Sequence, residues 1–412
     1  MLQHAAAAIT DDRPRAYREE VSLTQGLKSP RTPLRRFLDQ ELSAGSTPLR
    51  ATYRNRLAAR ALILPGAAVG HEAGTVGTAV DQRLRLAFSC AAPVDAATAK
   101  GIANCLLTAR RVRGRPWQVI AEVGRHLAER LTAAVADLEL DDRDRPMTRT
   151  GEEEEHLARM LLSAAWYALN FRNRFAFGDT PLCKSAFADP GAFTLDALLA
   201  VPHRHLVDDV LAQLHAVADG PLARLRAETP AARCRPGPDF AGSVHLAADA
   251  DLIVDGTLIE VKSTRNVHAF DLVTIHQLLG YTLMDYLDAH RIDQVGVYLS
   301  RAAAFISWPV EEYLALLGVR RRDLAELRAV FATLLSYDGC RADDDPLPHQ
   351  LAGVERLLAD LAATIAPGCC PVCAQPIAGL NAPTGRSRYY CSTWCGRRAV
   401  TLRRRGWLGS PG

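Results

Sequence analysis

The run Ala250-Asp251-Leu252-Ile253-Val254-Asp255-Gly256-Thr257-Leu258-Ile259-Glu260-Val261-Lys262 sets acids and a lysine within apolar sequence. Asp-Gly between two apolar runs signals a hairpin, because a type I′ turn needs positive φ at both central residues. A two-residue turn at Asp255-Gly256 pairs Val254 with Thr257, Ile253 with Leu258, Leu252 with Ile259 and Asp251 with Glu260. The last two carboxylates become cross-strand neighbours about 5 Å apart at Cβ. Period-two alternation adds Asp249 and Lys262 to their face, while Ala250, Leu252, Val254, Thr257, Ile259 and Val261 form a core face. Adjacent, partly covered carboxylates repel and lose hydration unless positive charge sits between them. A divalent metal meets that need, and an oxygen-lined site suits Mg2+ or Mn2+. Of the 49 basic residues only Lys28, Lys100, Lys184 and Lys262 are lysines, so the lysine beside these acids is an unusual choice in this chain.

Asp251 followed by Glu260-Val261-Lys262 on the next strand resembles the D…(D/E)-x-K signature of the PD-(D/E)XK nuclease superfamily. Gln277-Leu278-Leu279-Gly280-Tyr281 resembles the Q-x-x-x-Y motif of its RecB-like branch, and its i, i+4 spacing puts Gln277 and Tyr281 on one helical face. Gly77-Thr78-Ala79-Val80-Asp81 resembles the branch's first helical motif, in which a histidine often supplies a further metal ligand; here Asp81 stands in that place. The family's usual proline before the first acid is absent.

The resemblance implies metal-assisted hydrolysis of a phosphodiester. Asp251 and Glu260 would hold Mg2+ or Mn2+, helped by the Val261 carbonyl and by Asp81. Lys262 would orient or deprotonate the attacking water, or stabilise charge developing on phosphorus. Gln277 would position Lys262 or the substrate, and Tyr281 would contact the backbone phosphate or support the helix. DNA is the expected substrate, with RNA open, and a helicase or other protein partner is expected only by family analogy. The rival readings are a non-catalytic DNA-binding or interaction protein on a degenerate nuclease fold, and a structural salt-bridged hairpin.

Cysteine use is uneven. Five of ten cysteines fall in the last 44 residues, where Cys370-Pro371-Val372-Cys373 and Cys391-Ser392-Thr393-Trp394-Cys395 make two close pairs. Four thiolates so spaced suit a tetrahedral structural zinc site, with Cys369 as an alternative to Cys370, and with disulfides or an iron centre as the other options. The segment resembles small bacterial zinc fingers with C-x-x-C, then Y-C-S-x-x-C and a basic helix. Ser392 would cap a helix whose Arg397, Arg398, Arg403, Arg404 and Arg405 face nucleic-acid backbone, with Tyr389, Tyr390, Trp394 and Trp407 available for stacking. A finger that binds a protein partner, or that only stabilises, is the alternative.

The elements that position these residues define an α/β chain. Three domains are expected: an N-terminal tail over 1–29; a nuclease-like domain over 30–345, mostly helical from 96 to 235, with a mixed sheet flanked by helices; and a zinc finger over 366–412. Thr-Pro-Leu-Arg at 32–35 and 47–50 begins two helices, with threonine as cap and proline at the first helical position. Further helices are expected from about 74, from Glu152 to Phe171, and from Asp271 to about Ala289. Strands are expected at 244–248, 250–254, 257–262 and 295–299.

The 412 residues carry a net charge of +3, gathered at the two ends around an acidic middle, as suits a protein gripping a polyanion. No stretch reaches 18 uninterrupted apolar residues, so a cytoplasmic protein without membrane contact is expected. No lysine follows a glycine, which excludes a Walker phosphate loop and a fused ATP-driven motor. His203 and His205 read as an ordinary helix start.

Overall fold

The computed structural model describes residues 22–42, 45–57, 61–89, 92–112, 114–321, 323–337, 348–377, 389–404 and 408. A five-stranded mixed sheet is surrounded by helices. The strands are β1 (Cys234–Pro236), β2 (Leu252–Val254), β3 (Thr257–Lys262), β4 (Gln294–Leu299) and β5 (Ala304–Pro309), and they lie side by side in chain order. All neighbours are antiparallel except β3 and β4, which run parallel. A parallel pair needs a crossover, and the helix Leu272–Met284 supplies it.

The β2–β3 hairpin has the expected register, with Leu252 opposite Ile259, Ile253 opposite Leu258 and Val254 opposite Thr257. Asp255 and Gly256 both take positive φ, 48° and 80°. Alternation then divides the sheet between two cores. Leu252, Val254, Ile259 and Val261 pack with the helices Ala73–Phe88, Gly151–Arg172 and Arg204–Ala218. Ile253, Leu258, Val295, Val297 and Leu299 pack with Leu272–Met284 and with the amino-terminal helices. Ala250, expected beside Leu252, lies in this second core because the ladder ends at Leu252.

Other expectations shift. Residues 244–248 form no strand: Ala241–Val244 is a 3-10 turn, and Ala247 makes only a single bridge to Ser22. Ser243 Oγ accepts from the Phe240 amide and donates to the Ala248 carbonyl, local bonds that replace a ladder. The short edge strands β1 and β5 were not expected, and each carries a proline, tolerable at a sheet edge. The crossover helix stops at Met284, five residues early, because the buried Asp285 carboxylate accepts from the amides of Ala289 and His290 and turns the chain.

The helical expectations fare better. Thr32 caps Pro33–Glu41 as expected, whereas the next helix, Thr47–Arg56, starts one residue early, with Ser46 at the cap position and Pro48 second. Thr150 and Glu153 form a capping box on Gly151–Arg172. His203 caps Arg204–Ala218, its ring accepting from the His205 amide, an ordinary helix start. Among the described residues no helix is long and apolar enough to cross a membrane.

Candidate active site and four-cysteine cluster

The end of the hairpin brings the acids together. Asp251 stands one position past the β2 ladder, and its Oδ2 accepts the Val261 amide at 2.7 Å, which ties it to β3 beside Glu260. Val261 therefore contributes its N–H to this cluster, holding Asp251. Glu260 is buried: its Oε1 accepts from Lys262 Nζ at 2.6 Å, and its Oε2 has no partner. Two features fix Lys262. Its carbonyl accepts from Ser300 Oγ, and the fully buried Gln213 amide oxygen accepts from both Ser263 and Ser300 at 2.8 and 2.7 Å. The helix Arg204–Ala218 thus clamps the ends of β3 and β4, a positioning role that the sequence did not reveal.

Asp81 also reaches the site, from the helix Ala73–Phe88, whose Gly77 lies beside Ser263, just past β3. One turn further on the same helix is Arg85, with its side chain 7% exposed. Its guanidinium donates to Asp81 Oδ1 at 3.0 Å and to Asp251 Oδ1 at 2.6 Å, and lies 3.7 Å from Asp249. Arg85 is the residue of this cluster that the sequence reading missed, and its i, i+4 relation to Asp81 was the signal available.

Gln277 and Tyr281 share the expected face, but they bond to each other: Gln277 Nε2 donates to Tyr281 Oη at 2.7 Å, and the Tyr281 ring stacks on Phe240. One Gln277 N–H is thus given to Tyr281, while the Lys262 ammonium bonds Glu260.

Burial and mutual repulsion set the protonation pattern. Burial pushes Glu260 up from 4.5 to about 7, reinforced by Asp251 and opposed by Lys262. Burial likewise raises Asp81 from 3.8 to about 7, against the lowering pull of Arg85. For Lys262 burial pulls the other way, but the carboxylates of Glu260 and Asp251 prevail and hold its ammonium charged. The cluster therefore contains a fixed cation on each side, Arg85 and Lys262, with proton-hungry carboxylates between.

The second site lies near the carboxy terminus. Cys370, Cys373, Cys391 and Cys395 place their ligand atoms within 4.8 Å of one another, the only such group of His, Cys, Asp or Glu found among the described residues. The acidic cluster does not close to that spacing. The Sγ distances Cys373–Cys391, Cys391–Cys395 and Cys373–Cys395 are 3.3, 3.4 and 3.7 Å, far beyond a disulfide's ~2.05 Å. Four thiolates ~2.3 Å from one tetrahedral ion would be ~3.8 Å apart, so the cluster could hold a metal ion such as zinc. Cys370, not Cys369, completes it, because the Cys370 amide bonds the Gln375 carbonyl and turns that thiol inward.

Ser392 Oγ accepts from the Cys395 amide at the start of the helix Thr393–Arg404, as expected of a cap. Arg397 and Arg404 are exposed, Arg398 is half-buried beside Trp394, and Arg403 bonds Tyr390 Oη with its guanidinium over that ring. Arg405 and Trp407 lie outside the described residues. Comparison of the chain with family models, curated proteins and solved structures gives no match.

Proposed function

We propose that the chain is a metal-dependent nuclease of PD-(D/E)XK type, RecB-like, that hydrolyses phosphodiester bonds in DNA. The observation that carries this reading is the convergence of the buried Glu260 with the half-buried Asp251 and Lys262 at the end of one type I′ hairpin, with Glu260 Oε2 left unpartnered. A buried acceptor with no donor costs about 1–3 kcal/mol, and more when charged, unless something positive completes it. An oxygen-only donor set of Asp251 and Glu260 suits Mg2+ or Mn2+. Asp81, as a third ligand, would share its carboxylate with Arg85, as Asp251 already does. When bound, a divalent cation there supplies Lewis-acid polarisation of the scissile phosphate and a water of lowered pKa.

The chain's own groups then divide the work. Asp251 and Glu260 would hold the cation. Lys262, held charged, donates to the attacking water or to a phosphate oxygen and stabilises the charge that develops on phosphorus. A base role for Lys262 would require it to lose a proton that two carboxylates retain. The Gln277–Tyr281 pair fixes the helix behind the site. The four-cysteine module takes Zn2+ as a structural ion, and its exposed arginines contact nucleic-acid backbone.

The alternative, a non-catalytic nucleic-acid-binding protein on the same fold, draws on Arg85 lying where a cation would otherwise bridge Asp81 and Asp251. Glu260→Gln separates the two readings. The nuclease reading expects this variant to bind DNA as wild type does and to cut it at least about 100-fold more slowly with Mg2+. No cutting by either protein, with binding retained, supports the alternative, and equal cutting by both overturns the assignment of this hairpin as the active site.

A further inference from the structure

We propose that Arg85 is a resident cation that takes one of two cation positions in the acidic cluster, so that the site accepts a single divalent ion. The inference rests on the nuclease reading for the presence of that ion and goes beyond it in assigning the stoichiometry. Arg85 is bound to carboxylates on two separate elements, Asp81 on its own helix and Asp251 at the hairpin, and it faces Asp249. Its guanidinium is always charged and its fork geometry matches two carboxylates, so in this pocket it does what a bridging ion would do. It sits on the Asp251 Oδ1 side, while the unpartnered Glu260 Oε2 marks the open side.

The charges agree. With all four carboxylates ionised, as a bound cation would require, Asp81, Asp249, Asp251 and Glu260 face Arg85 and Lys262, which leaves two negative charges, the complement of one divalent ion. Arg172 acts on Asp81 and Asp271 on Lys262 from further out. Without Arg85, Asp81 and Asp251 lose the cation they share, and these two carboxylates become available to a second ion. Arg85 is thus a positioning residue: it fixes Asp251 through contact and touches no reacting atom.

The test is Mn2+ binding to the full-length, zinc-loaded chain, followed by the electron paramagnetic resonance of free Mn2+, for wild type, Arg85→Lys and Arg85→Gln. The expected result is one ion for wild type and for the lysine variant, and two for the glutamine variant. Equal stoichiometry in wild type and Arg85→Gln overturns the proposal. Should Arg85→Gln be too unstable to titrate, thermal melts serve: its Tm is expected to rise with Mn2+ more than that of wild type, and an equal or smaller rise overturns the proposal. Failure of the nuclease reading looks different: wild type then binds its one ion yet leaves DNA intact.

Discussion

Glu260 and Asp81 are held near neutrality by their surroundings, and this has a consequence for stability. Both carboxyls have folded pKa values of about 7, against ordinary values of 4.5 and 3.8. Between about pH 4 and 7 the folded chain keeps protons that the unfolded chain has released, so the unfolding free energy falls as pH rises, and the loss is complete above 7. For Glu260 alone the full effect is on the order of 3 kcal/mol. Urea melts without added divalent ions are expected to show lower stability at pH 8 than at pH 5, and Glu260→Gln is expected to remove much of the difference. Added Mg2+ is expected to reverse the trend, because the proposed site would take it on deprotonated carboxylates. Asp251, Glu260 and Lys262 were legible in the sequence because one turn and period-two alternation suffice to place them. Arg85 was not, since its contact with Asp251 spans 166 residues and depends on how a helix packs over the sheet.

Among the elements, the hairpin turn bears most directly on the site, and one helix crossing on the stability of the helical region. Gly256 has φ of +80°, and a Cβ there would lie 2.9 Å from the Arg291 carbonyl oxygen. Gly256→Ala is expected to cost about 1–3 kcal/mol and to lower cutting by misaligning Asp251 with Glu260, as denaturant melts and nuclease assays would show. Gly101 lets the helix Ala96–Arg111 approach Gly151–Arg172 so closely that a Cβ would fall 1.9 Å from the Tyr167 carbonyl oxygen. Gly101→Ala should therefore cost about 3 kcal/mol by melting and leave the sheet's hairpin intact. The Asp-Gly turn could be read in advance because it is local chemistry. The edge strands could not: β1 has three residues, and its pairing is set by the hairpin beside it. The 244–248 run has strand composition, but Ser243 commits its hydroxyl to local backbone.

For the whole molecule, much of the arginine surplus is structural. Arg83 pairs with Glu154 and Arg301 with Asp209 in the interior, and Arg226 and Arg143 both bond the Ala87 carbonyl at the end of the Asp81-bearing helix. The net charge therefore overstates what is available to a polyanion. The exposed arginines of the carboxy-terminal helix remain the better candidates. Cys373→Ser is expected to lower zinc content from one ion per chain to none, measured by plasma mass spectrometry. Arg397→Ala with Arg404→Ala is expected to flatten the logarithmic dependence of DNA affinity on salt, its slope falling by about one for each phosphate no longer neutralised.

The central claim, that this hairpin is a hydrolytic site, is tested most directly by one comparison: cleavage of linear and circular DNA by wild type and Lys262→Ala, with Mg2+ and with chelator. The expected result is Mg2+-dependent cleavage by wild type that falls about 100-fold or more in the variant while DNA binding persists. Cleavage that is indifferent to Lys262, or intact DNA under every condition with equal binding by both proteins, would contradict the account.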